Sequence, residues 1–249
     1  MQKRQLKIVE QVQALGYVSI EDLAHNFKVT PQTIRRDINL LSKEGVLRRY
    51  HGGAGLASSA ENIRYSARQI LCQDEKRAIA VKVAQRIPPM ASVFINIGTT
   101  TEEVARELVK KDGLRVITNN LNVAVILSRN PEIEIYMAGG VVRHRDCGLT
   151  GHATLEFIRQ FRTDFCVIGI SGIGQDGDLL DFDYREVQVA KAIITNSSKV
   201  LLAADHSKFG REAMVRLGHV SDIDELFTDT MPSESMVEIL TENGVKLHV

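Results

Sequence analysis

Apolar positions recur along this chain in two rhythms, and the change of rhythm divides it. Over the first fifty residues the period is helical. Leu6, Val9, Val12 and Leu15 stripe one side of a helix expected over 4–15. Leu23, Ala24 and Phe27 stripe a second helix. It starts at Ser19, a good N-cap, with Asp22 three residues on, a variant of the capping box in which Asp replaces Glu. Lys28 and Val29 make a tight turn. Thr30 offers another N-cap, and Pro31 falls at the first helical position, where its missing N–H costs nothing. Ile34, Ile38 and Leu41 then recur at i, i+4, i+7, one buried face. The run from Val46 to Gly53 predicts a short basic hairpin.

Gly55 to Ala60 is small and flexible and reads as a linker. Beyond it, a helix is expected over 65–87, with Ile79, Ala80, Val83, Ala84 and Ile87 on one side and Pro88-Pro89 as its stop. Short apolar runs at 93–97, 115–118, 134–137, 165–170 and 199–203 then alternate with helices to Leu108, over 121–128 and over 153–161. This alternation means a mainly parallel sheet. The expected fold is α/β: a small N-terminal winged helix-turn-helix domain over 1–57, a linker and the start of a connecting helix over 58–75, and a larger α/β domain over 76–249.

The third helix leaves Gln32, Thr33, Arg35, Arg36 and Asn39 to face outward. A recognition helix sets its N-terminal part against base edges. Gln, Asn and Arg have bidentate geometry for adenine and guanine edges, and Arg and Thr also serve phosphates. The hairpin would lay Arg48, Arg49 and His51 on the backbone or in the minor groove. Charge agrees. Residues 1–56 hold nine Lys/Arg against five acids, +4 in a chain of zero net charge, so 57–249 carries −4. An ordinary helical hairpin with a solvated charged face is the plainer alternative; the preceding helix and the basic hairpin weigh against it.

In the larger domain, Gly, Thr, Asn and Ser cluster just past the expected strand ends, where open α/β sheets bind ligands. Small residues let backbone amides approach closely, and hydroxyls at a helix start add donors. Gly98-Thr99-Thr100-Thr101 suits an anionic group such as phosphate, and Lys208 would neutralise it as a point charge. Spacing alone indicates a small anion.

The segment VTPQTIRRDINLLSKEGVLRRYHGGA resembles the signature of the DeoR family of bacterial repressors. NIGTTTEEVA, ITNNLNVA, YMAGGVVR, IGISGI, DFDYREV and DHSKFGREAM resemble its sensor domain, so the likeness covers nearly the whole chain. It implies a sensor similar in fold to ribose-5-phosphate isomerase and glucosamine-phosphate deaminase. It implies a repressor of glycerol and glycerol-3-phosphate metabolism genes, released from double-stranded operator DNA by a phosphorylated effector, glycerol 3-phosphate. Gln32, Thr33, Arg35, Arg36, Arg48 and His51 would then face DNA, with Thr30, Asn39, Arg49 and Gly52 as further contacts. Asp37, an acid among bases, is expected to orient a neighbouring Arg or cap a contact. Gly98, Thr99, Thr100, Asn119, Gly139, Gly140, Ser171, Asp205, Lys208, Phe209 and Gly210 would line the effector pocket. Glu186 and Lys191 stand where the related enzymes carry catalytic groups and are read here as shaping the ligand site. A homo-oligomer, dimer or tetramer, is expected, since a two-fold protein reads a palindrome.

Other features change little. Asp176, Asp178, Asp181 and Asp183 around Gly177 look calcium-like but lack the fixed loop order and the terminal bidentate Glu, so a solvated turn is expected. The loop Arg143 to Cys147 reads as a pocket edge or subunit contact. Cys72, Cys147 and Cys166 are odd in number and without paired spacing, as free thiols in a reducing cytoplasm would be. No apolar run is long enough for a membrane, and the N-terminus is polar. No cofactor, metal or catalytic residue is expected. The competing readings are a sugar-phosphate isomerase or deaminase with a regulatory head, using Asp181, Glu186 and Lys191 as acid/base groups; a repressor responding to another sugar phosphate; and a DNA-binding protein with a ligand-silent sensor.

Overall fold

Ile8, Val9 and Val12 meet Leu23, Ile34, Ile38 and Leu41 in a core built within the first of two units, Met1–Leu71; the second spans Cys72–Val249. The computed structural model describes residues 3–15, 17–50, 52–56 and 65–249. Among these, no helix is long and apolar enough to cross a membrane.

The first unit runs α1 (Lys3–Leu15), β1 (Tyr17–Ser19), α2 (Ile20–Phe27), α3 (Pro31–Lys43), β2 (Leu47–Tyr50), β3 (Gly53–Leu56) and α4 (Tyr65–Ile70). Its helix boundaries follow local chemistry. The Ser19 hydroxyl accepts from the Asp22 N–H at 3.0 Å and donates to the Asp22 carboxylate at 2.6 Å. Lys28 closes α2 in a left-handed conformation, φ 52°, and Thr30 caps α3 by accepting from the Thr33 N–H at 3.3 Å. The expected basic hairpin gains a third strand, for the sheet order is β1-β3-β2, antiparallel throughout. Three residues are too few for β1 to show an alternating pattern. Gly53 lets β1 and β3 close: a Cβ there would lie 2.4 Å from the Val18 carbonyl and from the Tyr17 hydroxyl. Gly55 and Leu56 lie in β3 and not in a linker, while 57–60 fall outside the described residues.

The helix expected over 65–87 is two helices. α4 ends at Ile70, and α5 (Gln73–Arg86) starts after Cys72, which is left-handed at φ 51°. No Gly or Pro marks the break. The apolar stripe from Ile79 to Ile87 runs along α5 to its C-cap residue, Ile87, and packs within one core of the second unit.

The second unit continues β4 (Ser92–Ile95), α6 (Thr99–Leu108), β5 (Arg115–Thr118), α7 (Leu121–Leu127), β6 (Glu134–Met137), β7 (Val141–Val142), β8 (Leu149–Thr150), α8 (His152–Ile158), β9 (Phe165–Ile168), β10 (Gly172–Ile173), β11 (Asp178–Asp181), α9 (Tyr184–Thr195), β12 (Val200–Ala203), β13 (Val215–His219), β14 (Glu225–Phe227), α10 (Glu234–Glu242) and β15 (Lys246–His248). Seven of these strands form one parallel sheet, ordered β15-β14-β12-β9-β4-β5-β6. Their side chains alternate between two cores. Val93, Ile95, Val116, Val167 and Leu201 face α5, α6 and α7; Phe94, Ile117, Cys166, Ile168 and Leu202 face α9 and α10. Burial on both faces explains why the strands read as continuous apolar runs. The chain proceeds from β4 to β5 and β6 on one side, then to β9 and β12 on the other. The switch in direction falls between β4 and β9, and open sheets take ligands at such a point, at the carboxyl ends of the strands.

Candidate functional site

In the first unit, α3 buries Ile34, Ile38 and Leu41 and turns Gln32, Arg35, Arg36 and Asn39 to solvent, with Thr33 half-buried. Arg48 and Arg49 are exposed on β2. A cleft of about 600 Å³ runs between α2, α3 and the hairpin, lined by Ile20, Glu21, Arg35, Arg49, Tyr50 and Gly52. Some of the expected contacts are already engaged. The Thr30 hydroxyl serves its helix cap. The Asn39 carbonyl accepts from Arg49 Nη1 at 2.9 Å, which braces the hairpin on α3. Gly52 makes the hairpin turn at φ 84°, and its carbonyl accepts from the Ile20 N–H at 2.8 Å. His51 lies outside the described residues.

Asp37 faces inward. It accepts from Arg4 Nε at 2.6 Å and from Gln5 Nε2 at 3.0 Å, tying α3 to α1. The arginine it orients comes from the first helix and not from its own Arg35-Arg36 neighbours.

In the second unit the parallel sheet brings the polar turns to one edge. Gly98 (φ 156°) opens α6, and Thr99 and Thr100 are buried behind it. The Thr101 hydroxyl donates to the Asn96 carbonyl at 2.7 Å and the Gly98 carbonyl at 2.8 Å, pinning the turn. Asn119 donates to the Leu149 carbonyl at 3.1 Å, which aims its Oδ1 the other way; that atom is buried and has no hydrogen-bond partner. Asp205, fully buried past β12, accepts from the Ser207 N–H and hydroxyl through Oδ1, while Oδ2 has no such partner. Burial pushes the Asp205 carboxyl up, but Lys208, Lys76 and the Ser207 hydrogen bonds outweigh it and hold it below the ordinary range. Ser171 donates to Asp181 Oδ1 at 3.1 Å.

Other expected pocket residues have packing reasons of their own. A Cβ on Gly140 would meet Thr154 Oγ1 at 2.2 Å. Phe209 packs on the α9-side core. Gly139 and Gly210 face open space.

Residues unremarked in the sequence also converge here. Asn96, after β4, keeps a buried Oδ1 without a partner. Glu102 accepts from Asn120 at 3.3 Å and Asn122 at 3.0 Å, bracing the first turns of α6 and α7. Lys76 is 3% exposed. Its signal was present, for it falls on the apolar stripe of α5, one turn before Ile79 and Ala80.

The Arg143 to Cys147 loop closes the edge by charge. Arg143 grips Asp146 with two bonds, 3.1 and 2.7 Å, and reaches Glu186 at 2.6 Å and Asp183 at 3.2 Å. Arg145 reaches Asp183 at 3.1 Å. Burial works against the Arg143 charge, yet Glu186 and Asp146 outweigh it, and the guanidinium holds its proton more tightly than usual. Glu186 is pushed up to about 7 by burial and by Asp181, against the pull of Arg143. Lys191 is exposed five residues along α9, about 140° around the helix from Glu186, so the two are not brought together. The aspartates around Gly177 serve separate partners: Asp178 pairs with Arg216 at 2.6 Å, Asp181 accepts from Ser171, and Asp183 caps α9.

The raised Glu186 value has a consequence for stability. An acid whose folded value lies above its ordinary 4.5 stabilises the fold fully below that value, and the contribution fades as pH rises through about 7. Glu186→Gln is therefore expected to gain melting temperature relative to the parent chain between pH 5.5 and 8. Parallel melting curves across that range would refute the assignment.

A profile of the DeoR-like helix-turn-helix domain matches residues 4–60, and one of the DeoR C terminal sensor domain matches residues 71–230. The chain is similar to the glycerol-3-phosphate regulon repressor of Escherichia coli, 49% identical over 97% of this chain and 96% of that one. It is likewise similar to the glycerol-3-phosphate regulon repressor of Haemophilus influenzae, 51% identical over 98% of this chain and 95% of that one. Among solved structures, ribose 5-phosphate isomerase A from Methanocaldococcus jannaschii aligns over 55% of each chain, with 14% identity and a TM-score of 0.42.

Proposed function

The chain belongs to the DeoR family, and from that premise we propose that it is a transcriptional repressor of glycerol 3-phosphate metabolism. The first unit binds double-stranded operator DNA, and the second binds glycerol 3-phosphate and weakens that grip. The observation that carries this reading is the exposed face of α3, where Gln32, Arg35 and Arg36 stand over a fully buried apolar stripe. That arrangement offers base-edge and phosphate donors on a rigid element.

In the second unit the phosphate is received at Gly98 to Thr100 with Lys208, and the hydroxyls meet Asn119 and Asp205. The effector acts by preferring the arrangement that cannot bind DNA; equal affinity for both arrangements would shift nothing. The protein works in the cytoplasm as a homo-oligomer that matches the two-fold symmetry of its site. It performs no catalysis. Glu186 is held by Arg143, and Lys191 lies away from it, which weighs against those two acting as an acid/base pair.

The test is a melt of the full chain with glycerol 3-phosphate, against glycerol, inorganic phosphate and a panel of sugar phosphates. Ligand at 100 times its Kd adds about 2.7 kcal/mol. For a unit of this size that is a rise of roughly 5–11 °C. A rise with glycerol 3-phosphate supports the reading, and a rise only with a different phosphate replaces the effector. No rise with any of them removes the sensing function.

A further inference from the structure

At the carboxyl edge of the large sheet, Oδ1 of Asn96 and Oδ1 of Asn119 are buried and have no hydrogen-bond partner. Asn96 is 2% exposed and Asn119 fully buried. Topology makes them neighbours. β4 and β5 run parallel with Ile95 opposite Thr118, and Asn96 and Asn119 each follow one residue on. Two positions earlier stand Phe94 and Ile117, which pack in one core, and the side chains of a strand return to the same face at every second residue. Adjacent strands lie about 4.8 Å apart. The two amides therefore sit side by side on the α9 and α10 face of the sheet.

The polar groups beside them are engaged. The Asn96 N–H donates to the Val167 carbonyl at 3.0 Å, and the Asn96 carbonyl accepts from Thr101 Oγ1 at 2.7 Å. Thr118 Oγ1 donates to the Ile95 carbonyl at 2.7 Å and accepts from the Asn120 N–H at 3.0 Å. Leu149 holds Asn119 at both ends: its N–H donates to the Asn119 carbonyl at 2.7 Å, and its carbonyl accepts from Asn119 Nδ2 at 3.1 Å. A carbonyl only accepts, so this amide has one orientation and Oδ1 is its open end. Leaving a buried acceptor unmet is costly, and the pair calls for a donor.

The first turn of α6 asks for the opposite. Asn96 lies two residues before Gly98, which opens that ten-residue helix. A helix start carries unmet N–H groups and partial positive charge, and it favours an anion. Val104, Ala105 and Leu108 seat α6 on the other face of the sheet. Helix start and amide pair thus approach one edge from two sides. Amide oxygens repel a phosphate, and a hydroxyl hydrogen finds no acceptor among helix N–H groups. The order of a ligand across this edge is thereby fixed, with its anionic end on α6 and its hydroxyl on the asparagines.

We propose that Asn96, paired with Asn119, is a specificity-determining residue of the effector site: the two amide oxygens accept from a hydroxyl of a small organic phosphate whose anionic end rests on the first turn of α6. This rests on the effector reading above and adds its selection rule. A phosphate that brings only carbon to the pair leaves both oxygens unmet, and one that brings a carbonyl sets acceptor against acceptor. An alcohol phosphate is therefore preferred over its deoxy analogue of equal charge.

The test is calorimetric titration of the full chain with glycerol 3-phosphate and with propyl phosphate, which has the same carbon chain and charge but no hydroxyl. The parent chain should bind propyl phosphate about tenfold or more weakly. Asn96→Leu keeps the size of the side chain and removes the acceptor. It should bind glycerol 3-phosphate about tenfold more weakly than the parent does, with the propyl phosphate Kd within about twofold of the parental value. Asn96→Asp keeps an acceptor oxygen; its added charge weakens both ligands alike and should leave their ratio near the parental one. A residue that only supports the fold would weaken both ligands together in Asn96→Leu. Asn96→Ala makes the same comparison should Asn96→Leu fail to fold. Parental discrimination retained without the Asn96 acceptor overturns the inference alone, as does equal binding of the two phosphates by the parent chain. Failure of the parent chain to bind glycerol 3-phosphate overturns the effector reading, and this inference with it.

Discussion

Ile38→Ala is expected to abolish DNA binding while leaving effector binding at its parental level. Ile38 is fully buried at the centre of the first unit, among Val9, Leu23, Ile34 and Leu41. Truncating such a side chain costs the transfer of its lost methylenes plus the cavity left behind, about 2–5 kcal/mol. A single core in a unit this small supplies only about 3–5 kcal/mol. The variant would thus spend much of its time with the head unfolded, and the rigid presentation of Gln32, Arg35 and Arg36 would be gone. The sensor cores share no residue with this one. Hydrogen exchange resolved by segment should show lost protection over α1 to α3 and parental protection over the large sheet, with glycerol 3-phosphate still raising the sensor melt. Ile38→Val, costing about 0.5–1.5 kcal/mol, should retain binding. Joint collapse of both units in Ile38→Ala would show that they do not fold separately.

Arg35→Ala carries the second large effect, on the operator itself. Arg35 is exposed and lines the cleft with Arg49, Tyr50 and Gly52. If it pairs with a guanine, its loss costs about 1–3 kcal/mol, or roughly 5- to 150-fold in affinity, and relaxes discrimination at one base pair. A phosphate contact behaves differently. Affinity then falls evenly on all sequences, and the salt dependence drops by about one counter-ion. Titrations of Arg35→Ala and Arg36→Ala against single-base variants of a duplex that the parent chain selects from a random-sequence library, at two salt concentrations, separate the two roles. An unchanged profile in both variants would remove α3 as the reading element.

Local chemistry explains how much of this molecule was legible beforehand. Ser19 and Thr30 set helix starts through bonds to residues three positions on, and Pro31 through its fixed φ. The apolar stripe of α3 and the strand runs of the sheet report burial through a period of a few residues. Parallel strands follow from their alternation with helices, and parallel strands necessarily bring their end turns to one edge. The exposed face of α3 and the polar rim of the sheet were therefore both written in short-range pattern.

Contacts across long stretches of chain were not. Asp37 stood among arginines in the sequence, yet its partner is Arg4, 33 residues away. Arg143 reads in the sequence as part of a pocket-edge or subunit-contact loop, but its partners Asp183 and Glu186 lie 40 and 43 residues on. The division between α4 and α5 carried no glycine or proline; Leu71 packs on one core and the α5 stripe on another. Lys76 shows the boundary most clearly. Its place on an apolar stripe followed from sequence period, but the sheet alone sets Asp205, past the end of β12, within its field. Periodicity and capping act over one or two turns of chain and are determined by the sequence itself. Charge pairing acts through space, and only the tertiary structure decides which charges meet.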